Sequence, residues 1–349
     1  MKQALLKAPG EVTLEEVPVP EISDEEVLIE VKYCGICGSD MHALADCVLL
    51  PAGTYMGHEF SGVLVKVGKN VKDWRVGDRV VVNPMGRCGE CYACKAGIYS
   101  ACPQAIPTGI GITAGIEYAG AFAKYVRVPH PEYRLYRLPD EVTFEEGALV
   151  EPLSCGFHAV RLSQFKAGDK VLVLACGMMG LAAITALRNA GAGLIMASEV
   201  VERKAVVARK LGADYVFNPK EVDLKAKAFE LTDGVGADVV FDCSGIPQVF
   251  ITGPDFLKPR GQVLMVGIIT HETPVIPVNF TVGEKSLQAT LVYVNEFPMV
   301  LDFLKKKDRP PVSEIITSEI KLSEIVTKGF DALTKPGSDE IKVIVAPDD

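Results

Sequence analysis

The stretch from Lys170 to Glu199 constrains the fold more than any other part of this sequence. It opens with a continuous apolar run, Val171–Leu174, which is typical of a strand that is buried on both faces of a parallel sheet. A short turn follows, and helical spacing of apolar residues begins at Met178. The pattern therefore predicts a strand, a tight turn and a helix, which together form one unit of a parallel α/β sheet.

The turn carries most of a glycine pattern that is used to bind dinucleotides. Gly177 and Gly180 occupy the second and third positions of G-x-G-x-x-G, whereas Ala175, which we expect to permit the turn, stands at the first. The second glycine lets the backbone approach a pyrophosphate at the helix N-terminus, and the third lets the helix pack on the strand. Glu199 ends the next apolar strand, where an acidic side chain binds the adenosine ribose. The alternative interpretation is an ordinary strand, turn and helix without a nucleotide.

The acidic residue also indicates which nicotinamide cofactor is preferred. The Glu199 carboxylate repels a 2′-phosphate and so favours NAD over NADP, although Arg203 and Lys204 are close enough in sequence to weaken that preference. Two later strands end near Cys243 and Val266, and parallel sheets bind ligands at such ends. The candidate cofactor-binding residues are Ala175, Gly177, Met178, Met179, Gly180, Glu199, Arg203, Cys243 and Val266.

The two halves of the chain have different patterns. From Gly168 to Ile268 short apolar runs alternate with helical spacing, which predicts a parallel sheet with crossover helices. Residues 1–33 instead indicate short strands separated by Pro and Gly. A chain of 349 residues exceeds what one core usually serves, so two domains are expected.

Several helices are predicted outside the central repeat. Thr143 and Glu146 form a capping-box pattern, so a helix should begin there. Pro152 should interrupt it beside Glu151, before a connecting helix at about 153–162. The other predicted helices include Gln248–Leu257, Phe297–Leu304 and Leu322–Leu333.

Composition excludes two classes of partner. The net charge is −9 and the sequence contains no long basic block, which argues against a nucleic-acid surface. No apolar stretch is long enough to span a membrane, and the N-terminus lacks the pattern of a signal peptide. We therefore expect a soluble cytoplasmic protein that binds neither nucleic acid nor membrane.

Two short polar clusters place metal-binding side chains in the first half. Residues 35–42, GICGSDMH, supply a thiol, a hydroxyl, a carboxylate and an imidazole, and His58 and Glu59 follow. A thiolate, an imidazole and a carboxylate can surround a metal that keeps a position open for substrate, which is typical of catalytic zinc. The alternative is that Cys34 and Cys37 form a structural or redox-active C-x-x-C pair.

A second set of cysteines has stricter spacing. Cys88, Cys91, Cys94 and Cys102 can close around one ion, and four thiolates leave no open position. The site would therefore be structural, holding a loop together. The alternative, a disulfide in the same loop, is disfavoured by a reducing cytoplasm.

Taken together, these motifs resemble those of the zinc-containing medium-chain alcohol and polyol dehydrogenases. The segments GICGSDMH, GHEFSG, the four-cysteine loop, GALVEPLSCGFHA and the dinucleotide turn occur in that family's order and spacing. The C-terminal segments LVYVNEFPMVLDFL and ITSEIKLSEIVTKGFDAL are most similar to the butanediol and sorbitol dehydrogenase branch. The resemblance implies a GroES-like β-rich catalytic domain at residues 1–152 and 290–349, and a Rossmann-type doubly wound NAD-binding domain at residues 153–289.

The resemblance also implies roles for the polar residues. Cys37 and His58 would bind the catalytic zinc, and the carboxylates of Glu59 and Glu151 would bind the metal or hold its water; the sequence does not apportion these two roles. With the structural site at Cys88, Cys91, Cys94 and Cys102, two zinc ions per chain are expected.

A proton relay is implied as well. Ser39 would take the proton of the alcohol and pass it through the nicotinamide ribose to His42, near solvent. Asp40 would orient a metal ligand rather than bind the metal.

The implied activity is NAD-dependent oxidation of a small secondary alcohol, vicinal diol or polyol, of the 2,3-butanediol or sorbitol type, by a homo-oligomer such as a dimer or tetramer. Oxidation of L-threonine or of a sugar or cyclitol stays open. A catalytically silent nucleotide-binding protein is the non-enzyme alternative, although retention of Cys37, His58, Ser39 and His42 argues against it. A zinc-free NADPH reductase would lack both metal sets.

Overall fold

The computed structural model describes residues 1–47, 50–103 and 120–348. The chain forms two compact units. The first comprises Met1–Glu151, Phe297–Lys305 and Ile316–Asp349, and the second comprises Pro152–Glu296 and Lys306–Ile315.

The first unit is built mainly from strands. Its three-stranded sheet has the order β2-β1-β4, and its seven-stranded sheet has the order β15-β16-β3-β5-β6-β8 with β7 also paired to β3. The strands are β1 (Lys2–Ala8), β2 (Glu11–Glu16), β3 (Val27–Gly35), β4 (Thr54–Tyr55), β5 (Glu59–Val67), β6 (Arg79–Val82), β7 (Tyr125–Val128), β8 (Leu135–Arg137), β15 (Ile316–Lys321) and β16 (Lys342–Ala346).

The helices of the first unit are short. They are α1 (Gly38–Asp46), α2 (Tyr92–Lys95), α3 (Pro131–Arg134), α4 (Phe144–Gly147), α11 (Phe297–Leu304) and α12 (Asp331–Thr334), with 3₁₀ turns at Tyr99–Ala101 and Leu322–Glu324 and a π-helical stretch at Ile325–Phe330. Helix α5 (Val150–Leu162) starts at the last residues of this unit. No described helix has both the length and the apolar character needed to cross a membrane.

Strand pairing in the first unit brings three distant segments together. Strands β3 and β5 are antiparallel, with Gly35 opposite Glu59. Strand β16 lies antiparallel on the other side of β3, with Val345 opposite Cys34. Lys342 opens β16 and therefore lies beside the loop that follows β3. Buried side chains of β3, including Val27 and Ile29 at 0% exposure, hold this strand in the core.

The second unit contains a six-stranded parallel sheet. Its strands are β9 (Lys170–Leu174), β10 (Leu194–Ser198), β11 (Tyr215–Phe217), β12 (Ala237–Asp242), β13 (Leu257–Met265) and β14 (Ser286–Ala289). They follow the order β11-β10-β9-β12-β13-β14, which is the 3-2-1-4-5-6 order of the Rossmann fold counted from β9. The apolar run Val171–Leu174 is at most 1% exposed, as a central strand requires. The predicted doubly wound sheet is confirmed.

Helices connect the strands of this sheet. They are α6 (Met178–Asn189), α7 (Glu202–Leu211), α8 (Leu224–Leu231), α9 (Pro247–Phe250) and α10 (Val278–Thr281), with 3₁₀ turns at Gly253–Phe256 and Val312–Ile315. Helix α6 starts at Met178 as predicted, because Gly177 at its N-cap has extended backbone angles.

Three predicted helices differ from the structure. Pro152 does not interrupt a helix, because it lies in the first turn of α5, where its missing N–H has no intrahelical partner to lose. The helix predicted at Gln248–Leu257 is α9 followed by a 3₁₀ turn that contains Pro254. The helix predicted at Leu322–Leu333 is a succession of 3₁₀, π and α turns. Helix α11 spans Phe297–Leu304 as predicted.

Candidate active site

Three candidate metal ligands meet in the first unit. One ligand atom each from Cys37, His58 and Glu59 lies within 4.8 Å of the other two. Cys37 follows β3 and is the N-cap of α1, whereas His58 and Glu59 lie where β5 begins. Because Gly35 pairs with Glu59, the register of these strands brings the two sequence motifs together.

Asp40 lies beside two of these candidate ligands. Its side chain is 0% exposed, and its Oδ2 accepts a hydrogen bond from the Cys37 backbone N–H at 2.9 Å. Its Oδ1 lies 3.8 Å from His58 Nδ1. The carboxylate therefore holds the backbone at Cys37, whereas its Oδ1 faces His58 from beyond hydrogen-bond distance and has no hydrogen-bond partner among the described residues.

Glu59 has a buried counter-ion that sequence reasoning missed. Lys342 Nζ donates to Glu59 Oε1 at 2.8 Å, to Glu59 Oε2 at 2.6 Å and to the Ile36 carbonyl at 2.8 Å. Lys342 is 2% exposed and Glu59 is 0% exposed. The sequence around Lys342, a lysine at the start of the apolar strand KVIVA, looks like an ordinary strand end and gives no sign of a buried ion pair. A Cβ at Gly35 would lie 2.3 Å from Glu59 Oε2, so the absent side chain makes room for the carboxylate.

Glu151 lies near this set without belonging to it. It is 8% exposed, occupies the first turn of α5, and its charge contributes to raising the pKa of His58. The group of atoms within 4.8 Å of one another contains Glu59 and not Glu151.

The electrostatics of the site favour a bound cation. Burial raises the pKa of the Cys37 thiol, and the Glu59 carboxylate raises it further. Burial alone would lower the pKa of His58, but Asp40 and Cys37 raise it well above its ordinary value. Two buried carboxylates, Asp40 and Glu59, lie beside one buried lysine, Lys342, and a divalent cation bound by a thiolate, an imidazole and a carboxylate would compensate the remaining negative charge. The residues fit a catalytic zinc ion.

The two predicted relay residues lie on one helix with contrasting exposure. Ser39 is 5% exposed, and its Oγ has no hydrogen-bond partner among the described residues. His42, three residues later on α1, is exposed to solvent. Residues three apart lie on the same face of a helix, so a buried hydroxyl and a solvated imidazole share one side of α1.

The four cysteines of the second predicted set also lie close together in the structure. One sulfur each from Cys88, Cys91, Cys94 and Cys102 lies within 4.8 Å of the others. The Cys91 N–H donates to Cys88 Sγ and the Cys94 N–H donates to Cys91 Sγ, each at 3.4 Å. Burial raises the pKa of the Cys94 thiol to about 12, so a thiolate there needs a neighbouring cation. All of these cysteines are free of disulfides, and the set fits a structural zinc ion.

An arginine attaches the four-cysteine loop to the rest of the unit. The Arg87 guanidinium lies 4.7 Å from the ring centroid of Tyr99 and 4.4 Å from that of Tyr133. His130 stacks on Tyr133 with 5.5 Å between ring centroids. The cation thus bridges an aromatic ring of the loop and one of α3. Arg87 also escaped the sequence analysis, since stacking partners distant in sequence leave no local pattern.

The dinucleotide turn of the second unit adopts an unusual backbone. Ala175 has φ +71°, in the left-handed region that a Cβ disfavours. A Cβ at Gly177 would meet no heavy atom within 4 Å, whereas a Cβ at Gly180 would lie 1.9 Å from the Ala175 carbonyl oxygen. The second glycine therefore leaves open space for a pyrophosphate, and the third allows close packing of helix on strand. Ala175 does permit the turn, but in a strained conformation.

The other candidate cofactor residues lie around this turn. Met178 and Met179 open α6, Cys243 follows β12, and Val266 follows β13. Both oxygens of Glu199 accept backbone N–H groups, and Arg203 is exposed on α7. Their placement at one edge of the sheet is compatible with cofactor binding; their individual roles remain predictions.

The glycine geometry predicts different effects for two alanine substitutions. Gly180→Ala should lower the free energy of unfolding by roughly 1–3 kcal/mol, because the new Cβ overlaps the Ala175 carbonyl. Gly177→Ala should change stability little but weaken binding of NAD, because its Cβ enters the open space. Urea unfolding and calorimetric titration measure the two effects. Equal stability losses would contradict the packing described.

The buried ion pair predicts a large effect for one lysine. Lys342→Met should destabilise the metal-free protein by about 3–5 kcal/mol, because it leaves the Glu59 carboxylate buried and unpaired. Lys210→Met is the matched control, since Lys210 pairs with Glu314 at the surface. Adding Glu59→Gln to Lys342→Met should restore part of the loss. Urea unfolding of the variants measures this, and equal losses for the two lysines would refute it.

Comparisons with known proteins agree with the geometry. The family model of the alcohol dehydrogenase GroES-like domain matches residues 23–140, and that of zinc-binding dehydrogenase matches residues 179–306. The (R,R)-butanediol dehydrogenase of Bacillus subtilis is 36% identical over 99% of this chain and 100% of its own. The sorbitol dehydrogenase of the same species is 31% identical over 87% of this chain and 86% of its own.

Solved structures extend the same result. The 2R,3R-butanediol dehydrogenase structure from Bacillus subtilis has a TM-score of 0.86 at 33% identity and covers 99% of each chain. A Sinorhizobium meliloti protein bound to NADP has a TM-score of 0.87 at 28% identity, again with 99% of each chain covered. The predicted family resemblance is confirmed: the chain belongs to the zinc-binding alcohol dehydrogenase family, with a GroES-like domain and a Rossmann-type sheet.

Proposed function

We propose that this zinc-dependent dehydrogenase transfers hydride between a vicinal diol or polyol and NAD. The observation that carries the proposal is the set of a half-buried thiol, a buried imidazole and a buried carboxylate, whose ligand atoms lie within 4.8 Å of one another. When bound, zinc supplies Lewis acidity that lowers the pKa of the substrate hydroxyl, and NAD accepts the hydride. The similar butanediol and sorbitol dehydrogenases support a diol or polyol substrate.

Within the site we assign Cys37, His58 and Glu59 as metal ligands and Glu151 as the carboxylate that holds the metal's water. Glu59 belongs to the close set, and its two oxygens keep lone pairs beyond those used by Lys342. Glu151 acts on His58 through its charge from outside that set. Asp40 orients His58 and supports the Cys37 loop.

We assign removal of the substrate hydroxyl proton to two side chains of α1. Ser39 Oγ is buried and lacks a hydrogen-bond partner among the described residues, so it can accept the proton of the substrate hydroxyl while donating its own. His42 is exposed, and its imidazole can release a proton to solvent. A buried acceptor and an exposed donor on one helix face suit a relay out of a dry site.

The charged side chains around the proposed metal ligands disfavour a phosphorylated substrate. Lys342 lies beside the ligands but is already paired with Glu59, so it offers no free cation to a phosphate group. A neutral diol needs no such cation, and its second hydroxyl can bind a carboxylate of the site. Glu199 favours NAD, because a 2′-phosphate would approach its carboxylate.

We also propose a cytoplasmic homo-oligomer, a dimer or tetramer. Strand β14 forms one edge of the parallel sheet. Large apolar side chains near it are exposed, namely Val275, Ile276, Val278, Val282 and Leu287. An exposed strand edge with apolar neighbours is typical of a subunit contact. Light scattering after size-exclusion chromatography, with Leu287→Lys as the disrupting variant, tests the proposal.

The proposed cytoplasmic location is supported by the ten free cysteines, which suit a reducing compartment.

Metal content tests the two zinc sites separately. The wild-type protein should hold about two zinc ions per chain. Cys37→Ser should lose one ion and all turnover yet still bind ADP, because the thiolate ligand is lost from the first unit only. Cys88→Ser should lose the other ion, and Cys47→Ser, a cysteine outside both sets, should keep both. Metal analysis that finds no zinc in the wild-type protein would eliminate the mechanism.

The substrate proposal is tested by comparing specificity constants. With NAD, kcat/KM for butane-2,3-diol or sorbitol should exceed that for butan-2-ol by about tenfold, which corresponds to one additional hydrogen bond. The value of kcat/KM should be lower with NADP than with NAD, and Glu199→Ala should reduce the difference between the two values. Absorbance at the nicotinamide band measures both. A preference for L-threonine or a sugar phosphate would replace the diol assignment.

A further inference from the structure

The Glu199 carboxylate is occupied by the protein's own backbone. Its Oε2 accepts a hydrogen bond from the Cys176 N–H at 2.8 Å. Its Oε1 accepts from the N–H groups of Val200 at 2.8 Å and Val201 at 2.9 Å. One oxygen thus holds the dinucleotide turn, while the other holds the start of the segment leading into α7.

The bond to Cys176 falls at the strained part of that turn. Ala175, which precedes Cys176, has φ +71° and carries a Cβ, unlike the glycine that usually stands there. Its own N–H donates to the Ser198 carbonyl at 3.0 Å. Two consecutive N–H groups of the turn are therefore bound to two consecutive residues at the end of β10. A strained backbone conformation persists only where surrounding contacts over-determine it.

We propose that Glu199 is a positioning residue that holds the Ala175–Cys176 turn in the geometry that receives the cofactor pyrophosphate. The inference rests on the proposed binding of NAD at this turn and adds a role that does not involve the ribose. Three of the about four lone-pair sites of the carboxylate are then occupied, two on Oε1 and one on Oε2, so a ribose hydroxyl can bind the remaining site on Oε2 while the carboxylate holds the turn. The carboxylate thereby compensates for the missing first glycine.

A role in binding the ribose and a role in positioning the turn predict different losses of nucleotide affinity when Glu199 is replaced. If Glu199 acts only through ribose hydroxyls, its replacement weakens ADP binding but leaves 2′,3′-dideoxy-ADP unaffected. If Glu199 positions the turn, 2′,3′-dideoxy-ADP also loses affinity, because it carries the same diphosphate as ADP. Glu199→Gln is the informative change, since its amide nitrogen cannot accept from a backbone N–H.

The experiment is calorimetric titration of the full-length protein with ADP and with 2′,3′-dideoxy-ADP. Glu199→Gln should weaken the binding of 2′,3′-dideoxy-ADP about tenfold, the effect of one hydrogen bond to a charged group, and the binding of ADP by at least as much. Adding Ala175→Gly should recover at least part of that loss for both, because glycine adopts φ +71° without strain. Glu202→Gln, which removes a neighbouring charge on the exposed start of α7, should change neither affinity.

The outcomes are separable. A loss confined to ADP, or no loss at all, would overturn the inference while leaving NAD binding intact. No rescue by Ala175→Gly would also overturn it, because the strain at residue 175 would then be unrelated to Glu199. A wild-type protein that binds neither nucleotide would refute the proposed cofactor site and this inference with it. If Glu199→Gln alone does not fold, Ala175→Gly with Glu199→Gln carries the comparison between nucleotides.

Discussion

The antiparallel pairing of β3 with β5 and with β16 is the constraint on which the proposed catalytic metal site depends. It sets Gly35 opposite Glu59 and brings the head of β16 to the loop that carries Cys37. Lys342 then binds both the Glu59 carboxylate and the Ile36 carbonyl, so one ammonium group ties the carboxylate to the thiol loop. A slip of one residue in either pairing would turn the inward side chains outward and separate the ligands.

The side chains of both candidate metal sites could be picked out from the sequence, because each set lies in short motifs rich in metal-binding residue types. Cys37, His58 and the four cysteines of the loop lie in short motifs whose donor types suit zinc, and those motifs also identified the family. Lys342 could not be found in this way, because it is 283 residues from Glu59 and its position is set by strand pairing. Nothing in a strand pattern says which lysine will face a buried acid.

The central sheet was predictable for a different reason. Buried parallel strands require continuous apolar runs, and the run at Val171–Leu174 is almost fully buried, as the pattern indicated. Local rules were less reliable where tertiary context decides. Pro152 was expected to break a helix, yet it occupies the one turn where proline costs little. The strain at Ala175 was also hidden, because a residue's name does not reveal its backbone angles.

The long separation between Glu59 and Lys342 has a consequence for the order of assembly during translation. A ribosome delivers Cys37, His58 and Glu59 early, but the lysine emerges only after the whole of Pro152–Glu296 has been made. Until then the carboxylate of β5 lacks its counter-ion, and the sheet that buries it lacks β16. We therefore expect the proposed catalytic site to be completed only after residues 152–296 have been made, whereas the four cysteines of the loop, which lie within 88–102, can come together while the chain is still growing.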